Sequence, residues 1–214
     1  MDIIKIDPEN LRSSSYGIRK AAEAIWRGGA VVVPTDTVYG LVTMATDERA
    51  VTRLFNIKNR PSDRPIPVFV RDIEMAKKVA CIDKKLEKIL SLVWPGSVTV
   101  LLRKKDKLPE KLTAGRETIG LRIPNYKLVN MLLAELPRPL TATSANISDQ
   151  PSSTKIGEVL AQFRNQFLKP DLVLDAGDLK FNEPSTVLDM TSPKPKIIRI
   201  GATNPKKLLE ILSI

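Results

Sequence analysis

The segment IKNRPSDRP gathers Lys58, Arg60 and Arg64 close together, and Pro61 and Pro65 stiffen it. Guanidinium groups make two-pronged contacts to phosphate oxygens and an ammonium adds a point charge, so this spacing suits a polyphosphate; an exposed basic loop would read the same way. Further on, TATSANIS carries Thr141, Thr143, Ser144, Asn146 and Ser148, with Gln150, Ser152, Ser153 and Thr154 close behind. Small hydroxyls and amides at a strand end can cradle phosphate or carboxylate, or can simply cap a helix after a turn. In VVVPTDTVYGLV, three valines run into Pro34 and then Thr35, Asp36, Thr37 and Tyr39 before Gly40, which is either a turn or a polar corner for a ligand. Arg122 lies between Leu121 and Ile123, and Arg199 between Ile198 and Ile200. In a strand each would point away from its apolar neighbours, toward solvent or a polar cleft. Ser185 and Thr186 open EPSTVLDM in the same polar-then-apolar order.

Other chemistries are excluded. The chain has no histidine and a single cysteine, Cys81, so a His/Cys metal site and an internal disulfide are ruled out. Ser144 has neither a G-x-S-x-G setting nor an imidazole base, which removes serine hydrolysis. No G-x-G-x-x-G or G-x-x-x-x-G-K-[ST] loop occurs, so any phosphate must be held by loop cations and small polar residues.

These residues need elements to position them. Ile18, Ala21, Ala22, Ile25 and Trp26 share a helical face, with Ser14 or Ser15 available as cap and Gly28-Gly29 as stop. Asp47 can cap a second helix with Val51, Leu54 and Phe55 inward, and helical patterns recur near 72–79, 83–93, 126–135, 154–168 and 204–213. Between them PIPVFV, SVTVLL, IGLRI, PLTAT, DLVLD, STVLD and KIIRI read as strands. STVLD and KIIRI lie close enough to pair directly, so the expected fold is α/β with a twisted mixed sheet rather than a pure βαβ repeat. The 214 residues suit one domain spanning 1–214. A net charge of +10 fits an anionic substrate or an RNA partner, or a solvated basic surface. No long apolar run suggests secretion or a membrane span, and a cytoplasmic location is expected.

Taken in order, PTDTVYGL, KNRPSDRPIPVFV, WPGSVTVLL, GLRIP, TATSANIS, STVLD and IIRIGA resemble the YrdC-like family of L-threonylcarbamoyladenylate synthases, over about Ala30 to Ala202. The resemblance implies a twisted YrdC-like/RibB-like α/β sheet whose concave face forms the active site. It implies a nucleotidyltransferase reaction in which L-threonine, bicarbonate and ATP give threonylcarbamoyl-AMP and pyrophosphate, with Mg²⁺ accompanying ATP. The product serves threonylcarbamoyladenosine modification of tRNA, completed by separate tRNA threonylcarbamoyl-transfer proteins; direct binding of tRNA or double-stranded RNA is a further possibility of the family. Longer members carry a C-terminal domain that a chain of this length is not expected to hold.

Carried over by motif, Lys58 and Arg60 look like the catalytic cations. Arg64, Thr118, Ser144, Asn146, Ser152 and Arg199 join them on the nucleotide side, and Thr37, Arg122, Ala142 and Ser185 are placed on the L-threonine side. Three positions depart from the family pattern: Phe69 where many relatives have histidine, Asp149 where glycine commonly follows the serine, and Ser97 where proline commonly follows PG. Two other readings stay open. One is a non-catalytic double-stranded RNA- or ribosome-binding protein of the same fold, and the other a different carbamoyl-transfer enzyme sharing the domain. ATP turnover separates the first from a synthase.

Overall fold

The structure, a computed structural model, describes residues 1–180, 183–192 and 194–212. Strand β1 (Asp2–Lys5) leads into α1 (Leu11–Trp26), β2 (Val31–Val33), β3 (Gly40–Val42) and α2 (Glu48–Lys58). Next come β4 (Val68–Phe69), α3 (Ile73–Val79), α4 (Lys84–Val93), β5 (Val98–Arg103), α5 (Glu110–Thr113), β6 (Thr118–Arg122) and α6 (Lys127–Glu135). The chain continues through β7 (Leu140–Thr141), β8 (Thr143–Ser144), α7 (Ile156–Arg164), β9 (Leu172–Asp175), β10 (Thr186–Asp189), β11 (Lys196–Arg199) and α8 (Pro205–Ile211).

The class is α/β as expected, but the strands divide between two mixed sheets, ordered β1-β9-β2-β3-β8 and β11-β10-β5-β6-β4-β7. PLTAT is where they meet. Leu140 and Thr141 pair with β4 in the larger sheet, whereas Thr143 and Ser144 pair with β3 in the smaller one. Ala142 sits at the crossing and donates its N–H to Pro67 O at 2.7 Å. STVLD and KIIRI do pair, as antiparallel β10 and β11. Gly201 lets the chain after β11 press against the start of β10, since a Cβ there would lie 2.0 Å from Pro184 O.

The helices end where their chemistry dictates. Asp47, Asp72 and Asp83 each accept a backbone N–H three residues on, satisfying a donor that the first helical turn leaves unpaired. The cap of α1 differs from expectation. Asn10 accepts from Ser13 N, while Ser14 lies inside the helix with its hydroxyl bonded to Asp7 O. Trp26 also departs: it is 62% exposed at the end of α1, outside the buried stripe of Ile18, Ala21, Ala22 and Ile25. Those four residues pack with Leu128, Val129, Leu132 and Leu133 of α6 on one apolar cluster. A second cluster joins α2 to Leu41, Val68, Val100 and Leu121 of both sheets. Among the described residues no helix is long and apolar enough to cross a membrane.

Candidate active site

The polar corner after Val33 is the loop of a hairpin. Strands β2 and β3 pair antiparallel from Val31↔Val42 to Val33↔Gly40, so Pro34 to Tyr39 form the turn between them. Thr35 Oγ1 donates to Val38 O at 2.7 Å and accepts from Thr37 N at 3.1 Å, which folds the loop on itself. The Tyr39 hydroxyl donates to Gly177 O and accepts from Ala176 N, anchoring the loop to the segment after β9. The loop projects into a cavity of about 320 Å³ lined from both sheets.

At one side of that cavity lies Arg122, 3% exposed. Its Nε donates to Gly96 O at 2.8 Å, Nη1 to Thr37 Oγ1 at 3.3 Å and Nη2 to Asp36 Oδ1. The Phe69 ring centre lies 5.8 Å from the guanidinium carbon, so this departure from the family pattern supplies an aromatic face under the cation. Burial lowers the Arg122 pKa, the Asp36 carboxylate opposes this and Arg199 adds to it. Asp36 is itself held, accepting from Asn125 N at 3.2 Å and from Ser97 Oγ at 3.4 Å. Ser97, a departure from the family pattern, thus supplies a hydroxyl to the acid behind Arg122.

Beside Arg122, across β5, stand Ser185 and Arg199, the latter near enough for its charge to act on the Arg122 guanidinium. Ser185 Oγ is 2.8 Å from Thr99 Oγ1, and Arg199 Nη2 donates to Ser185 O at 2.8 Å, so a β11 side chain clasps the start of β10. At the mouth, Arg60 Nε donates to Arg64 O and Nη2 to Pro65 O, which holds the guanidinium flat against its own loop. Ser144, Asn146, Gln150 and Ser152 complete this side.

Of the residues singled out from sequence, Thr37, Arg60, Arg122, Ala142, Ser144, Asn146, Ser152, Ser185 and Arg199 all line the cavity. Lys58, Arg64 and Thr118 do not. Thr118 begins β6 opposite Arg103, and four residues of strand place it about 13 Å from Arg122. Arg64 lies outside the lining and pairs with Asp149 at 2.6 Å. Lys58 is 1% exposed and sits behind the wall. Its Nζ donates to Ser144 O, Asn146 O and Asn146 Oδ1 at 2.5 to 3.1 Å, while Ser144 Oγ also donates to Asn146 Oδ1. All three ammonium protons are therefore committed to the SANIS loop, and Lys58 shapes the wall carrying Ser144 and Asn146 from beneath.

Burial, with the Arg60 charge adding to it, brings the Lys58 ammonium down to about 7 from 10.5. Between those values the unfolded chain binds a proton that the folded chain does not, so the stability contributed by this group rises as pH climbs from 7. Denaturant unfolding of wild type and Lys58→Met at pH 7 and pH 9 is expected to show wild type gaining on the variant. An unchanged difference would mean that the three acceptors keep the ammonium charged throughout.

Thr99 and the pairing of Asp36 with Arg122 were not anticipated. Thr99 had one signal, a hydroxyl between two valines in SVTVLL. The Asp36 pairing spans 86 residues and had none.

Comparison with known proteins agrees with this geometry. The Sua5/YciO/YrdC family profile, described as "Telomere recombination", matches residues 23–201. The threonylcarbamoyl-AMP synthase of Pyrococcus abyssi is 34% identical over 202 residues, covering 94% of this chain but 58% of that protein, so the chain spans well under two thirds of this relative's length. A putative threonylcarbamoyl-AMP synthase of Methanocaldococcus jannaschii is 34% identical over 206 residues, covering 96% of each. The crystal structure of P. abyssi Sua5 complexed with L-threonine superposes with a TM-score of 0.91 at 33% identity, over 99% of this chain and 61% of that one. A profile match over most of its length and a shared two-sheet fold establish that this chain belongs to the Sua5/YciO/YrdC family.

Proposed function

We propose that the cavity binds L-threonine and ATP and that the protein is a threonylcarbamoyl-AMP synthase. The observation that carries this reading is the union, in one cavity, of a buried Arg122–Thr37 pair with two further cations, Arg60 and Arg199, and small polar side chains. A buried guanidinium beside a hydroxyl fits an amino acid carboxylate and its neighbouring polar group, and the two further cations fit phosphates. The relative solved with L-threonine and the named synthases support the same substrates.

The reaction needs few groups from the protein. The threonine amine, once it has given up its ammonium proton, adds to the carbon of bicarbonate with loss of one water, or to carbon dioxide formed from it with loss of one proton. The resulting carbamate oxygen attacks the α-phosphorus of ATP, and the bond to the β-phosphate oxygen breaks to release pyrophosphate. Holding amine, carbon and phosphorus in line is catalysis by positioning, and Arg60 and Arg199 can neutralise charge gathering on the phosphates. No histidine is required. Among the described residues no group of three or more Asp, Glu, His or Cys side chains is placed to hold a metal, so magnesium would enter on the nucleotide, coordinated by phosphate oxygens and water. Passage of the adenylate to tRNA-modifying proteins belongs to the same reading.

Pyrophosphate release tests it: release should require ATP, L-threonine and bicarbonate together, and release indifferent to threonine and bicarbonate would overturn it. A finer check is Thr37→Val, which keeps shape and removes the hydroxyl beside Arg122. Threonine affinity should fall about tenfold to hundredfold, the cost of leaving a polar group of the complex unpaired, while ATP affinity without threonine stays unchanged. Equal loss for both ligands would indicate a collapsed hairpin loop.

A further inference from the structure

The loop that follows α2 and the loop that follows β8 both reach the cavity mouth, the first through Arg60 and the second through Asn146, Gln150 and Ser152. One ion pair joins them. Arg64 Nη1 donates to Asp149 Oδ1 at 2.6 Å, 85 residues apart in sequence, and both side chains are exposed. Asp149 stands at φ 66, in the left-handed region that favours glycine, immediately before Gln150 of the cavity wall. Arg64 is fastened to the mouth from the other side, because its carbonyl accepts from Arg60 Nε at 3.0 Å. Asp149 therefore acts on both arginines: its hydrogen bond and charge raise the pKa of Arg64, and its charge partly offsets the lowering that burial imposes on Arg60.

A carboxylate bonded to Arg64, and close enough for its charge to act on Arg60, offers these cations at the edge of the cavity the chemistry of a phosphate oxygen. We propose that Asp149 sets the protein's affinity for nucleotide by competing with the substrate's phosphates for Arg64. The nucleotide must take Arg64 from Asp149 and must settle near a fixed negative charge. An exposed ion pair contributes little to stability, about 1 kcal/mol or less, so the exchange is easily made and the fold does not depend on it. The effect is confined to anionic ligands at the mouth, because Arg122 and Thr37, on which the amino acid reading rests, touch neither residue. This inference depends on the nucleotide reading above.

The test is direct binding of ATP to the full chain by calorimetry, with and without Mg²⁺, for wild type, Asp149→Asn, Asp149→Gly, Arg64→Ala and the Arg64→Ala/Asp149→Asn double variant. Asparagine and glycine both tolerate the left-handed backbone, so the loop is kept. Both Asp149 variants are expected to bind ATP about fivefold to tenfold more tightly at low salt, with L-threonine affinity and thermal midpoint unchanged. The gain should shrink as salt screens the carboxylate and should be at least halved when Arg64 is already alanine. Wild type that binds no ATP would defeat the nucleotide reading itself. If wild type binds ATP and the Asp149 variants bind it equally well, the competition is refuted. Weaker binding of the variants only when Mg²⁺ is present would also refute it, by assigning the carboxylate to the nucleotide's metal.

Discussion

Arg122→Lys is expected to reduce kcat/KM for L-threonine by about a hundredfold or more while the protein stays folded. Arg122 makes three separate donations, to Gly96 O, Thr37 Oγ1 and Asp36, above the Phe69 ring. An ammonium on a narrower stem cannot span that triangle and also meet a carboxylate with two parallel bonds. Loss of a charged, buried hydrogen bond contributes on the order of 3 kcal/mol, which sets the scale of the fall. Keeping a positive charge beside Asp36 avoids the larger penalty of a stranded buried acid. Arg122→Ala should incur that penalty and lower the unfolding free energy by about 3 to 5 kcal/mol. Steady-state kinetics with threonine varied, alongside denaturant unfolding of both variants, checks the pair of outcomes. Arg122→Lys with ordinary threonine kinetics would remove Arg122 from the substrate.

Lys58→Met is expected to abolish measurable turnover and also to destabilise the protein, through a different cause. Methionine fills much of the same volume but leaves Ser144 O, Asn146 O and Asn146 Oδ1 without the donor they share. Three buried acceptors losing the donor they share amount to roughly 2 to 4 kcal/mol after partial relaxation and water entry. The SANIS loop then loses the tether that presents Ser144 and Asn146 to the cavity. On the proposed reading ATP binding should weaken more than threonine binding, because Ser144 and Asn146 are assigned to the nucleotide and Arg122 to the amino acid. Calorimetric titration of each ligand separately distinguishes this from general unfolding. Equal weakening of both would place Lys58 in the frame of the whole cavity.

The placement of Lys58 was partly legible. Val51, Leu54, Phe55 and Lys58 fall at i, i+3, i+4 and i+7, so the periodicity that buries the apolar face of α2 carries the lysine inward with it. Reading KNRP as a loop of cations obscured this, because the helix runs through Lys58 and stops at Asn59 in a left-handed cap. The alternation that set Arg122 apart from Leu121 and Ile123 was a sound guide to its face, whereas Thr118 was placed by the family resemblance alone. Distance along β6, from Arg122 to its far end opposite Arg103, is what separates Thr118 from the cavity. The division into two sheets was hidden for a related reason. PLTAT reads as one short strand, and nothing about Ala142 announces that the partner changes from β4 to β3 there. Hydrogen-bonding partners distant in sequence decide such matters. Asp36 and Arg122, or Arg64 and Asp149, meet only once both sheets have formed, so their pairing follows from topology and not from local pattern.

Whether this cavity joins a carbamate made from threonine to the α-phosphate of ATP is read out by mass spectrometry of the nucleotides formed when the protein is given ATP, L-threonine and ¹³C-bicarbonate under one brief incubation. An AMP adduct carrying threonine and the ¹³C label together is expected, formed with an equal amount of pyrophosphate and lost when threonine is omitted. Formation of ADP and phosphate, or of an AMP product that contains no label, would contradict it.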